Sequence, residues 1–294
     1  MRAFDVVTAK DSRHAVALLA EHAPTAKVIA GGTDLLADLK FSSHGPAMVV
    51  DISRVEDLKA ITITDEGLSI GALVTHTAIM RSPIINDMFP ALVHAAHTIG
   101  AVQTRNLGTL GGNLVTGVPS MDSGPTLMAL EAIIVILSPA GRRQVPMAEF
   151  FLGPRKTVLK PDELLAEILI PKQNLGKPTH FLKFGLRKGQ ALALVSAAAS
   201  VWVDVDTQIC SAPRISLGAV APTVIRAPKA EAHLDGRPLT ADAMAEAGRI
   251  AASEAKPISD FRASAGYRRE LVAVLTKRAL EGAYELAKTK RRGA

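Results

Sequence analysis

The chain has 294 residues, of which 48% are hydrophobic and 21% are charged, so two or three packed units with an ample core are expected. The formal net charge of +6 comes partly from a basic cluster at 288–292, and only 4% of the residues are aromatic, so we expect no nucleic-acid partner. The single cysteine, Cys210, excludes an internal disulfide, a four-thiolate zinc site and a thiolate-ligated iron–sulfur cluster within the chain.

The first glycine-rich segment lies at 28–35, after a helix that Asp11 is predicted to cap and a short strand predicted over 27–30. Helical spacing resumes at Leu35, so the segment predicts a strand–loop–helix unit whose loop N–H groups form an anion site. Asp34 is expected to cap the second helix and to point away from a ligand. A simple turn is the alternative interpretation of the glycine pair.

The elements predicted between the two glycine-rich segments are short. They are a strand over 48–52, a hairpin over 60–63 and 68–70, and helices that open at Thr75 or Thr77 and at Pro90. His94 and His97 lie three apart on the last of these helices, a spacing that can ligate a metal. No third ligand is near them in the sequence, so we interpret them as a solvated or packing pair and expect no metal site.

The second glycine-rich segment lies at 108–114, about eighty residues after the first, and the acid Asp122 follows it. Paired glycines have no Cβ atoms, so they let the backbone approach a ligand closely and present N–H groups to phosphate oxygens. Each segment alone is more often only a turn. Two of them separated by this much chain can embrace one long ligand from both sides, and a dinucleotide has that shape.

The later elements indicate where the chain divides. Strands are predicted over 131–137, 163–170, 192–205 and 215–220, and helices over 241–255 and 267–287. The polar stretch 172–179 is the best linker candidate and places a boundary near residue 177. Strand–helix–strand character gives way to a hairpin-rich pattern near residue 58, which divides the N-terminal part again.

Self-contained catalysis finds no support in the sequence. There is no G-x-S-x-G, H-E-x-x-H or P-loop lysine pattern, and Ser120, Asp122 and Ser123 lack an activating base nearby. A protein whose chemistry belongs to a bound cofactor fits better. The first residues have no apolar signal core, and the longest apolar runs are too short or too rich in serine and alanine to cross a bilayer. We therefore expect a cytoplasmic protein without a membrane span.

Several motifs occur in a fixed order along nearly the whole chain. They are AGGTDL at 30–35, QTRNLGTLGGN at 103–113, Asp122, PDELL at 161–165, KF at 183–184 with RKG at 187–189, and GAVAPT at 218–223 with Arg226. Together they resemble the FAD-binding (medium) subunit of molybdenum hydroxylases, the family of xanthine dehydrogenase and CO dehydrogenase. Their number and order make this resemblance far more specific than either glycine-rich segment alone.

The resemblance implies a role for both glycine-rich segments. The first would bind the FAD pyrophosphate through backbone N–H groups, and the second would complete the clamp, with its paired glycines permitting close approach. The residues so implied are Val28, Ile29, Ala30, Gly31, Gly32, Thr33, Asp34 and Leu35 in the first segment and Thr109, Leu110, Gly111, Gly112 and Asn113 in the second.

Further residues take roles from the same resemblance. Asp122 would accept hydrogen bonds from the adenosine part, or else close an Asx-type turn. Lys183 would be the cation near the flavin or the diphosphate, or else a surface lysine. Leu164 or Leu165 would pack on the adenine or the flavin rim, or else belong to the core. Ile99 stands where some relatives carry an aromatic residue that stacks on the ring, so the implied contact is apolar but not an aromatic stack.

The fold that the resemblance implies is α+β. A two-subdomain PCMH-type FAD-binding domain would occupy 1–177, with subdomains of about 1–58 and 59–177. A CO dehydrogenase flavoprotein-like C-terminal domain with a three-stranded sheet and helices would follow over 178–290. This is not a Rossmann fold, and the sequence G-x-G-x-x-G is indeed missing.

The resemblance also implies a heteromeric complex, a dimer of heterotrimers. A molybdopterin-binding large subunit with the molybdenum cofactor would hydroxylate a purine, N-heterocycle, aldehyde or CO. An iron–sulfur small subunit with two [2Fe–2S] clusters would relay electrons to the FAD of this chain, which would pass them to NAD⁺, oxygen or a quinone. The lone cysteine fits this division, since the clusters must then lie on another chain.

Two alternatives belong to other classes. One is a stand-alone FAD oxidoreductase of the vanillyl-alcohol-oxidase type, but the block after residue 177 is small for a substrate domain and the first glycine loop has no histidine to anchor a flavin. The other is a non-enzymatic nucleotide-binding module. A visible absorption spectrum distinguishes the second alternative, because that module would hold no flavin.

Overall fold

The computed structural model describes residues 3–42 and 45–292, and the first of its three packed parts is a small parallel sheet with two helices. The strands are β1 (Asp5–Thr8), β2 (Ala26–Ile29) and β3 (Met48–Asp51), and the helices are α1 (Ser12–His22) and α2 (Leu35–Phe41). β3 lies between β1 and β2 and pairs with both. The Asp11 carboxylate accepts the N–H of His14 at 2.7 Å, which confirms the predicted cap of α1.

The second part contains a five-stranded antiparallel sheet covered by short helices. Its strands are β4 (Ile61–Ile63), β5 (Gly67–Gly71), β6 (Ile133–Ser138), β7 (Gly141–Pro146) and β10 (Leu164–Pro171), in the order β4-β5-β10-β6-β7. Its helices are α3 (His76–Arg81), α4 (Pro83–Met88), α5 (Pro90–Thr98), α6 (Val102–Leu107), α7 (Leu110–Thr116), α8 (Ser123–Ala129) and α9 (Met147–Phe150). β8 (Phe151–Gly153) and β9 (Lys156–Thr157) form a separate ribbon.

Most of the predicted elements of this part are confirmed. β4 and β5 form the predicted hairpin, and the Thr75 hydroxyl caps α3 by accepting the N–H of Ala78 at 3.1 Å. The strand predicted from residue 131 begins at Ile133 instead, because Glu131 has a φ of 55° that no strand accommodates. α4, α6, α7 and α8 were not predicted, because they are short and no start signal was recognised for them, whereas Thr75 marked the start of the equally short α3.

The C-terminal part packs a four-stranded antiparallel sheet on three helices. Its strands are β11 (Thr179–Gly185), β12 (Ala193–Val203), β13 (Cys210–Gly218) and β14 (Ile225–Arg226), in that order, and its helices are α10 (Pro228–Leu234), α11 (Ala241–Glu254) and α12 (Ala265–Arg292). The predicted three strands correspond to β11, β12 and β13. The prediction lacked β14, which pairs with β13 over only two residues and is too short to show alternation.

The stretch 172–179, predicted as a linker, is largely packed rather than exposed. Asn174 and Lys177 are buried there. Asn174 Nδ2 donates to the carbonyl oxygen of Leu130 at 2.9 Å, and Lys177 Nζ donates to that of Ala212 at 2.7 Å. These polar side chains find backbone partners in the second and the C-terminal part, so the polar stretch is packed between them.

Candidate functional site

A groove of about 510 Å³ lies between the first and the second part. Both glycine loops form its walls, so the structure brings together the two segments that the sequence analysis paired. The predicted residues that line it are Val28, Ala30, Gly31, Gly32, Thr33, Asp34, Leu35, Ile99, Thr109, Gly111, Gly112, Asn113, Leu164 and Leu165. The predicted residues outside its lining are Ile29, Leu110, Asp122 and Lys183.

The two glycine loops touch each other through their backbones. A Cβ atom at Gly31 would lie 1.8 Å from the carbonyl oxygen of Leu107, so only glycine fits there. An isolated bridge between Thr75 and Thr109 fixes the second loop against the chain that precedes α3. The contact between the loops is therefore enough to require glycine at position 31, whether or not a ligand is bound.

The first loop offers backbone donors to the groove. Gly32 has a φ of 71°, a conformation that favours glycine. Within the described ranges, the N–H groups of Gly31, Gly32 and Thr33 have no hydrogen-bond partner. Asp34 occupies the N-cap position of α2, but its side chain makes no capping bond and it lies on the groove wall, so the predicted cap is wrong. Burial raises the pKa of Asp34, and the charge of Arg155 acts in the opposite direction.

The second loop uses most of its donors internally. Leu110 and Gly111 each donate an N–H at 2.9 Å to a carbonyl oxygen of the segment 72–74. Gly112 donates its N–H to Oγ1 of Thr109 at 3.0 Å. These three N–H groups are therefore not available to a ligand in the geometry that the structure shows.

Gly111 lines the groove and is also needed for packing against Ala72. A Cβ atom there would lie 2.7 Å from the Cβ and 2.8 Å from the carbonyl oxygen of Ala72. Asn113 is the better donor of this loop. Its Oδ1 accepts a hydrogen bond from Ser123 Oγ at 2.6 Å, and its amide nitrogen has no partner among the described residues.

Asp122 and Lys183 form a buried ion pair outside the groove wall. Lys183 Nζ lies 2.5 Å from Asp122 Oδ2 and donates to the carbonyl oxygen of Thr98 at 3.1 Å. The side chain of Lys183 is only 7% exposed, so it is not a surface lysine. Burial raises the pKa of Asp122 to about 6, and the Lys183 charge opposes that shift. Asp122 Oδ1 has no hydrogen-bond partner, and its carboxylate does not cap α8.

His76 is a groove residue that the sequence analysis missed. It is 2% exposed, and its N–H donates to the carbonyl oxygen of Gly108 at 3.1 Å. Burial, assisted by the charge of Arg105, lowers the pKa of His76 to about 4, so the imidazole is neutral at pH 7. Its Nδ1 atom has no hydrogen-bond partner. The available signal was a histidine directly after the predicted helix start at Thr75.

Asp38 and Arg155 also line the groove without having been predicted. They form an ion pair with each other. The two residues are 117 positions apart, so no local pattern connects them. Only the folded structure identifies this pair as part of the site.

The described ranges contain no group of three or more histidine, cysteine, aspartate or glutamate side chains arranged to hold a metal ion. His94, which shares its helix with His97, donates through Nδ1 to the carbonyl oxygen of Phe181 at 3.1 Å. That bond connects the second part to β11 and gives His94 a packing role.

The sequence matches two family models that together cover most of the chain. Residues 2–173 match the FAD binding domain in molybdopterin dehydrogenase. Residues 180–283 match the CO dehydrogenase flavoprotein C-terminal domain. The chain belongs to the FAD-binding family of the molybdopterin dehydrogenases. The resemblance carried by the glycine segments and the later motifs is thereby confirmed.

Individual members of this FAD-binding family match over nearly their full length. The carbon monoxide dehydrogenase medium chain of Hydrogenophaga pseudoflava is 33% identical over 96% of this chain and 97% of its own. The xanthine dehydrogenase FAD-binding subunit of an Escherichia coli strain is 34% identical over 93% of each chain. A solved structure of carbon monoxide dehydrogenase from Hydrogenophaga pseudoflava, which lacks the Mo-pyranopterin moiety of the molybdenum cofactor, is also similar. One of its chains superposes on this chain with a TM-score of 0.92 at 33% sequence identity. The superposition covers 97% of this chain and 98% of that chain.

This family membership confirms the α+β fold with an FAD-binding part and a flavoprotein C-terminal part. It also removes the basis for the vanillyl-alcohol-oxidase alternative, because the C-terminal block matches a flavoprotein domain rather than a substrate domain. No helix in the described part of the chain combines the length and apolar character that crossing a membrane requires.

Proposed function

We propose that this chain is the FAD-binding electron-transfer subunit of a heteromeric molybdenum hydroxylase. It would receive electrons from [2Fe–2S] clusters on a partner subunit and pass them through FAD to NAD⁺, oxygen or a quinone. The observation that carries the proposal is the groove between two glycine loops in a chain that belongs to a family of FAD-binding domains. When bound, FAD supplies the redox chemistry, because it takes electrons singly and releases them as a pair.

The residues of the groove fit FAD. Its volume of about 510 Å³ lies within the range of about 300–1,000 Å³ that is usual for small-molecule and cofactor sites. The N–H groups of Gly31, Gly32 and Thr33 are available for the oxygens of a diphosphate. The amide nitrogen of Asn113 adds a side-chain donor from the opposite loop. These groups would bind and orient the diphosphate between the two subdomains.

Other predicted residues take positions along the same ligand in this proposal. Ile99, Leu164 and Leu165 supply apolar wall to the groove, where they would pack on the flavin or the adenine. Asp122 and Lys183 lie outside the groove lining, and we place them near the end of the FAD that is farthest from the glycine loops. The unpartnered Oδ1 of Asp122 supports this, because a buried carboxylate oxygen favours a donor from a ligand.

The partners follow from the names of the relatives. The relatives include a carbon monoxide dehydrogenase medium chain and a subunit of the 6-hydroxypseudooxynicotine dehydrogenase complex, names that describe parts of larger assemblies. We propose an iron–sulfur small subunit and a molybdopterin-binding large subunit as partners, a dimer of heterotrimers as the assembly, and the cytoplasm as its location. The complex would hydroxylate a purine, N-heterocycle, aldehyde or CO.

Purification of the full chain tests the cofactor. We expect one FAD per chain with a visible flavin spectrum, and acid precipitation should release all the colour into the supernatant, because neither glycine loop contains a cysteine, histidine or tyrosine to bond the ring. A colourless protein that cannot be reconstituted with FAD would favour a nucleotide-binding module. Flavin that stays in the pellet would contradict noncovalent binding.

A further inference from the structure

Arg155 is anchored to α7, the helix that begins within the second glycine-rich segment. It lies in the turn between β8 and β9 with a φ of 58°, and its N–H donates to the carbonyl oxygen of Gly117 at 2.8 Å. Gly117 ends α7, and a Cβ atom there would lie 3.3 Å from the Cα of Arg155. The turn and the end of α7 are therefore in close contact, which fixes where the Arg155 side chain starts.

The Arg155 side chain reaches across the groove to the first part. There it pairs with Asp38 on α2, the helix that follows the first glycine loop. Both residues line the groove, and both side chains are about half exposed, at 51% and 53%. An ion pair so open to water adds little to stability, so a purely structural purpose explains it poorly.

The charges around the first loop suggest that the Arg155–Asp38 pair also affects how the groove binds an anion. Asp34 and Asp38 both lie on the groove wall, and a diphosphate placed at the loop would meet their negative charge. The described cations of the wall are Lys27, Arg155 and Lys160. Of these, Arg155 is the one that pairs with Asp38 and whose charge acts on Asp34. A planar guanidinium also matches phosphate oxygens better than an ammonium does.

We infer that Arg155 is a further binding residue of the groove, whose guanidinium holds the diphosphate of the bound nucleotide while Asp38 competes for it. The inference rests on the proposed FAD function. It differs from a strap, in which the Arg155–Asp38 pair would simply hold the two parts together. The two roles predict opposite effects of removing the Asp38 charge.

Reconstitution of the full-length apoprotein with FAD, followed by flavin fluorescence, distinguishes the roles. We expect Arg155→Gln to weaken FAD binding about tenfold, the scale of one charge-assisted contact. Asp38→Asn should tighten binding about threefold, because it frees Arg155 and removes a repelling charge. Lys156→Gln is the control, at an exposed lysine next to Arg155 that does not line the groove, and we expect it to change binding by less than about twofold. Thermal unfolding of the apoproteins checks that all three variants fold.

Each outcome decides one question. Equal weakening by Arg155→Gln and Asp38→Asn would establish a strap and overturn the inference. Unchanged binding in Arg155→Gln would overturn the inference without establishing a strap. A loss in Lys156→Gln as large as that in Arg155→Gln would overturn it too. If the wild-type chain itself bound no FAD, the proposed cofactor function would fail instead, which keeps the two failures distinguishable.

Discussion

His76, in the groove wall, and Asp122, outside that wall, each carry a buried polar atom without a partner. Such atoms are rare in folded proteins, because an unmet donor or acceptor retains its full desolvation cost. His76 contacts the second loop through Gly108, whereas Asp122 is bound to Lys183. His76 therefore presents an unpartnered nitrogen in the groove wall, and Asp122 presents an unpartnered oxygen beside Lys183.

The neutral state of His76 makes the fold sensitive to acid. Its pKa is about 4 in the folded chain, against 6.5 for an ordinary histidine, so the unfolded chain binds the proton more readily. The contribution of His76 to stability is complete above pH 6.5 and is lost as the pH falls towards 4. Between pH 7 and pH 5 we expect the free energy of unfolding to fall by about 2 kcal/mol from this residue alone. Urea unfolding of wild type and His76→Gln at both pH values measures that difference.

The control for this experiment is His97→Gln, at an exposed histidine on α5. It should keep the full pH-dependent loss of the wild-type protein. If wild type and His76→Gln lost the same free energy between the two pH values, His76 would not be the buried neutral group described above.

Long elements could be predicted from their periodicity, whereas short ones were predicted only where a cap or a turn marked them, as Thr75 marks α3. The strand β12 and the helices α11 and α12 repeat their periodicity often enough to be predicted, whereas α4, α6 and β14 do not. Both glycine loops were predicted, and the resemblance indicated that they act together. The contacts that join their surroundings were not predictable, because they connect residues far apart in sequence, as in the Arg155–Asp38 pair.

The backbone contact between the loops predicts that Gly31→Ala is severely damaging. The added methyl group would lie 1.8 Å from the carbonyl oxygen of Leu107, and a backbone atom cannot move aside cheaply. We expect a stability loss of about 1–3 kcal/mol in the apoprotein and a loss of FAD affinity of at least about tenfold, because the loops must separate. Thermal or urea unfolding and flavin occupancy of the purified variant measure both effects.

Gly189→Ala provides the comparison, since a Cβ atom at that glycine would have no neighbour within 4 Å. It should leave both flavin occupancy and stability close to wild type. A Gly31→Ala variant that bound FAD like wild type would show that the two loops need not touch to form the site.

At the scale of the whole molecule, the chain combines a nucleotide groove with a positive charge surplus and a single cysteine. The net charge of +6 suits a partner surface with acidic groups, and long-range attraction of that kind raises association rates more than it raises final affinity. Cys210 is buried, and burial raises the pKa of its thiol to about 12, so it is not a reactive thiolate at pH 7. Electron donors of the cluster type must therefore reach the groove from another polypeptide.

Because the iron–sulfur clusters and the molybdenum cofactor would lie on partner subunits, the purified chain should catalyse only the flavin reactions. It should transfer electrons between a reduced nicotinamide or an artificial dye and its flavin, and it should not hydroxylate purines, N-heterocycles, aldehydes or CO. Mixed with the iron–sulfur and molybdenum subunits, its flavin should be reduced by their substrate and reoxidised by the final acceptor, which stopped-flow absorbance follows directly. Its association with them should weaken as salt rises, because screening shortens the reach of its surplus charge. An isolated chain that hydroxylated a substrate at full rate would make the subunit proposal wrong and would place the whole reaction within this one polypeptide.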